Sequence, residues 1–211
     1  MAKEKLTFDS FGKYLPQGTL EKVIPWFKKY TIQLIITRER RSILGNYRQP
    51  IPSHPFHRVT VNGNLNAYAF LITLLHELAH LEAYVQFKNR IAPHGKEWQD
   101  IYKNILVEYL GKNLFPADLE KSLHTSLKNL KASSCADPKL YKALMAFDEP
   151  LIEGLVLVEA LIPNTRFVTK EGRVFLLLQK RRTRYLCKEI KTNKDYLFSG
   201  LVQVKPLVEP A

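Results

Sequence analysis

The sequence predicts an α+β chain in which a mixed helix-and-strand first part is followed by a small β-rich C-terminal module. Three observations carry that reading. Residues 31–37 and 57–61 are rich in β-branched side chains, as strands are. From 67 to 147 the apolar residues recur at helical spacing, punctuated by Asn66, Gly111 and Asp137. After Pro150 the texture changes to short β-rich runs separated by turn pairs. These shifts divide the chain into a domain at 1–130, a helical linker at 131–150 and a basic β-rich domain at 151–211.

In order along the chain, residues 19–27 read as a helix with Thr19 placed to cap it. Residues 31–37 read as a strand. Residues 42–48 and 57–61 are its candidate partners, the second showing an alternating Val59 and Val61 face. Val61-Asn62-Gly63-Asn64 is a turn signal that ends this sheet. Asn66 stands where an N-cap belongs, and 67–87 carry the strongest helical pattern in the chain. A second helix is expected at 96–110, stopped by Gly111, and a third at 118–130. A fourth is expected at 138–147, with Asp137 as cap and Pro138 in its first turn. Beyond it, strands are expected at 155–159, 166–169, 173–179, 183–190, 196–199 and 201–204. Turns at Pro163-Asn164, Glu171-Gly172 and Asn193-Lys194-Asp195 separate them, the pattern of a small antiparallel barrel or sheet.

The 211 residues are 45% hydrophobic and 25% charged, which argues against a disordered chain. The longest apolar run, 67–75, is broken by Thr73 and is too short to span a membrane. The charged start, with Lys3, Glu4 and Lys5, does not read as a secretory signal. Cys135 and Cys187 allow at most one disulfide and cannot form a four-cysteine zinc ribbon; neither has the setting of a nucleophile. A reduced, cytoplasmic protein without membrane partners is the expectation.

The net charge of +12 favours polyanionic partners. Between residues 166 and 194, ten Lys/Arg face only Glu171 and Glu189. Lys180, Arg181, Arg182 and Arg184 are therefore candidate nucleic-acid-binding residues, with Phe175 and Tyr185 available to stack on bases. The competing reading is a solvated edge strand whose charges guard against aggregation.

The most specific signal is His76-Glu77-Leu78-Ala79-His80, an HExxH motif inside the best-defined helix. Histidines four residues apart share a helical face, so both imidazoles can reach one zinc ion. Glu77 is placed to take a proton from water at that ion. A catalytic zinc needs a third ligand. The metzincin pattern is excluded, because Ala83 and Gln86 stand where Gly and His would be needed. Glu97 and Glu108, as in thermolysin-like sites, and His94, in Pro93-His94-Gly95-Lys96-Glu97-Trp98, are the candidates. In the last, Gly95 would let the imidazole approach without crowding. His54 and His57 read as surface or turn residues, His124 as a solvated helix residue, and Tyr84 as a core aromatic one turn after His80.

HExxH followed about a dozen residues later by His-Gly-x-x-aromatic resembles the SprT-like metalloproteases, the Spartan-related group, over roughly residues 20–111. Val59-Thr60-Val61-Asn62 is similar to that family's approach to the active-site helix. The resemblance implies a zincin-like metalloprotease domain, a small sheet with active-site helices. It implies His76, His80 and His94 as Zn2+ ligands and Glu77 as general base. It further implies protein substrates bound on or crosslinked to DNA, and with them a part in DNA repair. Many relatives carry a cysteine zinc ribbon that two cysteines cannot supply, which leaves the basic tail as the one candidate DNA contact. Two other functions compete: a zinc peptidase with no nucleic-acid role, and a non-enzymatic nucleic-acid-binding protein with a structural zinc.

Overall fold

The computed structural model describes residues 11–40, 43–128, 130, 137–148 and 154–207. Cys135, residues 131–136 and 149–150 of the segment expected as a linker, and the start of the expected 42–48 strand lie outside them. The fold is α+β and divides into two compact units, Met1–Asp148 and Glu149–Ala211.

The first unit opens with α1 (Leu20–Lys29), β1 (Ile32–Thr37), β2 (Gly45–Arg48) and β3 (His57–Asn62). Thr19 does not cap α1 through its side chain. It adopts helical dihedrals, and its hydroxyl donates to the Pro16 carbonyl at 2.7 Å instead of accepting from the helix. The strands form a sheet in the order β1-β3-β2. β1 runs parallel to β3, pairing Leu34 with Val59, while β2 runs antiparallel to it, pairing Gly45 with Val61. β2 is therefore an edge. Arg40 stitches the loop before β2 to β3, donating to Asn62 Oδ1 at 2.8 Å and to Thr60 Oγ1 at 3.1 Å. Asn62 is buried, and its amide donates back to the carbonyls of Arg40 and Ile43.

Next comes α2 (Ala67–Phe87), whose N-cap Asn66 accepts a hydrogen bond from the Ala69 N–H at 3.0 Å. Phe70, Leu71, Leu74, Leu75, Leu78 and Leu81 have no exposed surface, so this helix runs through the core with apolar residues on nearly every side. α3 (Lys96–Val107) packs beside it through Trp98, Tyr102, Ile105 and Leu106. Tighter i→i+3 bonds at Glu108, Tyr109 and Leu110 follow α3 before Gly111 turns the chain at φ 67°. α4 (Ala117–Ser126) and α5 (Pro138–Met145) complete the unit. Asp137 caps α5 by accepting from the Lys139 and Leu140 N–H groups. Leu140 and Leu144 enter the same core as α2, so α5 is built into the first unit.

The second unit is a six-stranded, fully antiparallel sheet. Its strands are β4 (Val156–Leu157), β5 (Arg166–Val168), β6 (Val174–Arg181), β7 (Arg184–Glu189), β8 (Asp195–Ser199) and β9 (Gln203–Pro206), in the order β4-β9-β5-β6-β7-β8. Residues expected to extend the first strand form a 3-10 turn, Val158–Ala160. The predicted turn residues Asn164, Gly172 and Asn193 adopt left-handed backbone at φ 67°, 76° and 55°. Its separate core contains Val158, Phe167, Phe175, Leu177, Tyr185, Cys187 and Val204.

Candidate metal centre

α2 projects His76 and His80 from one face, and the residue before the N-cap of α3 brings in His94. The three Nε2 atoms converge: His76 to His94 is 3.1 Å, His80 to His76 is 3.2 Å and His80 to His94 is 3.0 Å. Three imidazole nitrogens aimed at one point cannot all satisfy one another as donors and acceptors. The spacing does suit a shared cation, since a tetrahedral zinc at about 2.0–2.1 Å from each nitrogen holds its ligands roughly 3.3–3.4 Å apart. Among the described residues this is the cluster able to hold a metal ion.

Electrostatics prepare the triad. Burial pushes His76 down to about 3, helped by His80 and His94, and His80 to about 4, helped by His94, and burial lowers His94 as well. Burial thus favours the neutral, metal-binding form of all three rings. Trp98 forms the wall behind them. Its ring centroid lies 4.7, 5.0 and 4.6 Å from those of His76, His80 and His94, and it is 1% exposed.

Two features of the third position differ from the sequence expectation. His94 itself takes the left-handed conformation at φ 59°, whereas Gly95 is extended at φ −65°. Gly95 suits the position for a different reason: a Cβ there would make a tight 3.0 Å contact with the Ala92 carbonyl, to which the Gly95 N–H donates. Gln99 holds the loop by donating to the His94 carbonyl at 3.0 Å. Glu97 and Glu108 are exposed and stand outside the cluster.

Glu77 is only 5% exposed, and burial pushes its carboxyl up to about 8 against the opposing pull of Arg40 and the Tyr47 backbone N–H. Its position depends on a residue that sequence patterning does not reveal. At Gly45, on β2, a Cβ would lie 2.6 Å from Glu77 Oε1 and 2.7 Å from Thr73 Cγ2. The strand passes so close to the carboxylate that only glycine fits.

His57 is not a surface turn residue. It begins β3, stacks on Tyr47 and accepts or donates through Nδ1 to the Tyr47 hydroxyl at 2.8 Å. Tyr84 stands beside both, as a wall of an open groove rather than in the core. His54 is exposed on the same groove, and His124 is exposed in α4. In the second unit Lys180, Arg181, Arg182 and Arg184 are all exposed around the β6–β7 turn. Phe175 and Tyr185 are buried in that unit's core at 1% and 8% exposure, because their strand positions face inward, so neither can stack on a base. Cys187 is buried beside them, and burial raises its thiol to about 11, far from a reactive thiolate.

Residues 28–120 match the SprT-like family. That SprT-like region runs from the end of α1 into α4 and contains all three histidines and Glu77. No curated protein and no solved structure matches the chain. The SprT-like match and the histidine cluster are consistent with a metallopeptidase. Among the described residues, no helix is long and apolar enough to cross a membrane.

Proposed function

We propose that the chain is a zinc-dependent metalloprotease of zincin type, with His76, His80 and His94 as ligands and Glu77 as general base. The observation that carries this reading is the convergence of three Nε2 atoms, 3.0–3.2 Å apart, with the buried carboxyl of Glu77 next to His76 in sequence. When bound, zinc polarises the scissile carbonyl and lowers the pKa of water towards neutrality. The positive charge of a bound zinc would draw the Glu77 carboxyl down from its raised value of about 8, so that the carboxylate could accept the proton of the attacking water and return it to the leaving amine nitrogen. Gly45 and the Tyr47 N–H hold that carboxylate in place, and Trp98 keeps water from the back of the histidines. The open edge of β2 offers backbone donors and acceptors to an extended polypeptide beside Glu77.

A structural metal needs no proton acceptor beside its first ligand, and Glu77 bears the desolvation of burial there; this favours an enzyme over a zinc-stapled binding protein. The exposed cations around the β6–β7 turn support a DNA-associated substrate, held through phosphates alone. The test is metal analysis paired with cleavage of an unfolded protein, with and without DNA. About one zinc per chain is expected. Glu77→Gln should retain it while turnover falls at least about a hundredfold. Unchanged cleavage by that variant would remove Glu77 from the mechanism.

A further inference from the structure

Beside the histidines lies an open groove of about 750 Å³, bounded by β2, the start of β3 and the chain that follows α2. His80 and Trp98 are among its lining residues. Its apolar surface comes from Ile51, Phe56, Ile91 and Pro93 together with Tyr47 and Tyr84. Its charged lining is of one sign: Arg48, Arg58 and Lys88, with no aspartate or glutamate.

The placement of these cations is unfavourable in the protein alone. Arg48 and Arg58 are direct partners in the antiparallel β2–β3 register, so both side chains leave the same face. Like charges directly opposite in a sheet repel. Lys88 stands across the groove at the end of α2, with its ammonium 4.9 Å from the centre of the Tyr84 ring. Among the described residues, the carboxylates in ion pairs serve other cations: Glu82 pairs with Lys29, Asp100 with Lys96 and Glu189 with Arg173. Arg48, Arg58 and Lys88 thus line one groove, and among the described residues none of them has an ion-pair partner.

We propose that this groove is a specificity pocket that selects a glutamate or aspartate side chain close to the scissile bond of the polypeptide substrate. The inference rests on the protease reading and names its substrate preference. The apolar surface takes the methylenes, and the cations take the carboxylate as charge-assisted hydrogen bonds. The pocket's continuity with His80 puts this contact beside the scissile bond. An unpaired cation in the same place is rejected by repulsion, which sharpens selection as much as the attraction does. The basic tail and this groove thereby have separate anionic partners.

The experiment uses the zinc-loaded full chain and peptides in which one Glu is walked through the positions flanking the cleaved bond, each compared with Gln and Lys. At one position Glu should exceed Gln by about tenfold in kcat/KM, with Lys poorest. The ratio should fall to about one in Arg48→Gln/Arg58→Gln/Lys88→Gln, whose zinc content and thermal midpoint report an intact fold. A binding arm separates this inference from the reading beneath it. Labelled Glu, Gln and Lys peptides are titrated into the Glu77→Gln variant and followed by anisotropy. Preference for the Glu peptide without cleavage by the unmodified protein would sink the protease reading and leave the pocket standing. Equal binding of Glu and Gln peptides would overturn the pocket whatever is cleaved. Binding of a single-stranded oligonucleotide that needs the same three cations, with no preference among the peptides, would overturn it in favour of phosphates.

Discussion

Replacing Gly45 by alanine tests how Glu77 is held. The new Cβ would arrive 2.6 Å from Glu77 Oε1 and 2.9 Å from its Cγ, while ordinary contact begins near 3.4 Å. Carboxylate and strand must therefore separate by about 0.8 Å, more than a packed interface can absorb without moving atoms. Thr73, one turn earlier on the same face of α2, clashes as well, its Cγ2 lying 2.7 Å away. Overpacking of this kind costs about 1–3 kcal/mol of stability. A displacement approaching 1 Å in a reacting group costs about a hundredfold in rate, so turnover should fall about ten- to a hundredfold. The histidines lie outside the clash, and zinc stoichiometry should not change. Peptide cleavage, metal analysis and thermal unfolding on one preparation read all three quantities. Wild-type cleavage at wild-type stability would refute the argument that β2 fixes the carboxylate.

Other outcomes follow from the same geometry. His76→Ala, His80→Ala and His94→Ala should each lose most of the bound zinc, whereas Glu97→Ala should keep it; metal analysis showing the reverse for the last two would restore the thermolysin-like ligand set. Alanine at Lys180, Arg181, Arg182 and Arg184 should flatten the salt dependence of DNA binding by up to about one logarithmic unit for each phosphate left without its cation, equally for unrelated sequences, and an unaltered slope would favour the solvated-edge reading. Glu189 is held down to about 2, first by the Arg173 hydrogen bond at 2.7 Å and then by the Thr192 hydroxyl. A depressed carboxylate stabilises the fold above its ordinary value of 4.5, and that contribution fades as pH falls towards 2. A carboxyl NMR titration should show Glu189 rising towards 4.5 in Arg173→Gln, and no rise would remove Arg173 as the cause.

What could be read from the sequence was the local part. α2 was legible to its ends, because Asn66 signals a cap and Leu74, Leu75, Leu78 and Leu81 set its period. The turns at Asn164, Gly172 and Asn193 were legible for a similar reason, since these residues tolerate left-handed backbone. His76, Glu77 and His80 came together through helical periodicity alone. His94 was one of three open choices until it was taken with the motif around it, because its approach depends on a loop that crosses between helices. Gly45 and the Arg48–Arg58 pair carried no local signal, and Trp98 was visible only as the aromatic of the His-Gly-x-x-aromatic motif, not as the wall behind the imidazoles. Their importance lies in what the chain places against them: a carboxylate from α2, three imidazoles, and a like charge across a strand pair. The inward facing of Phe175 and Tyr185 was missed because an exposed and a buried aromatic look alike in a short alternating strand.

Asn66 does more than begin a helix. Its amide also donates to the Leu144 carbonyl at 2.9 Å and to Asp148 Oδ1 at 2.6 Å. α2 has no acidic residue in its own first turn, so a negative charge at the positive end of its dipole is supplied by a residue 82 positions away. A shortened protein ended at residue 130 would lose that carboxylate and the Leu140 and Leu144 side chains, and it would leave the cap amide without either partner. The same holds while the chain is being made. The helix that bears two of the histidines leaves the ribosome with its dipole uncompensated and acquires the missing charge only after residue 148 has been added. The charge that faces the positive end of this helix is thus the last part of its unit to be made.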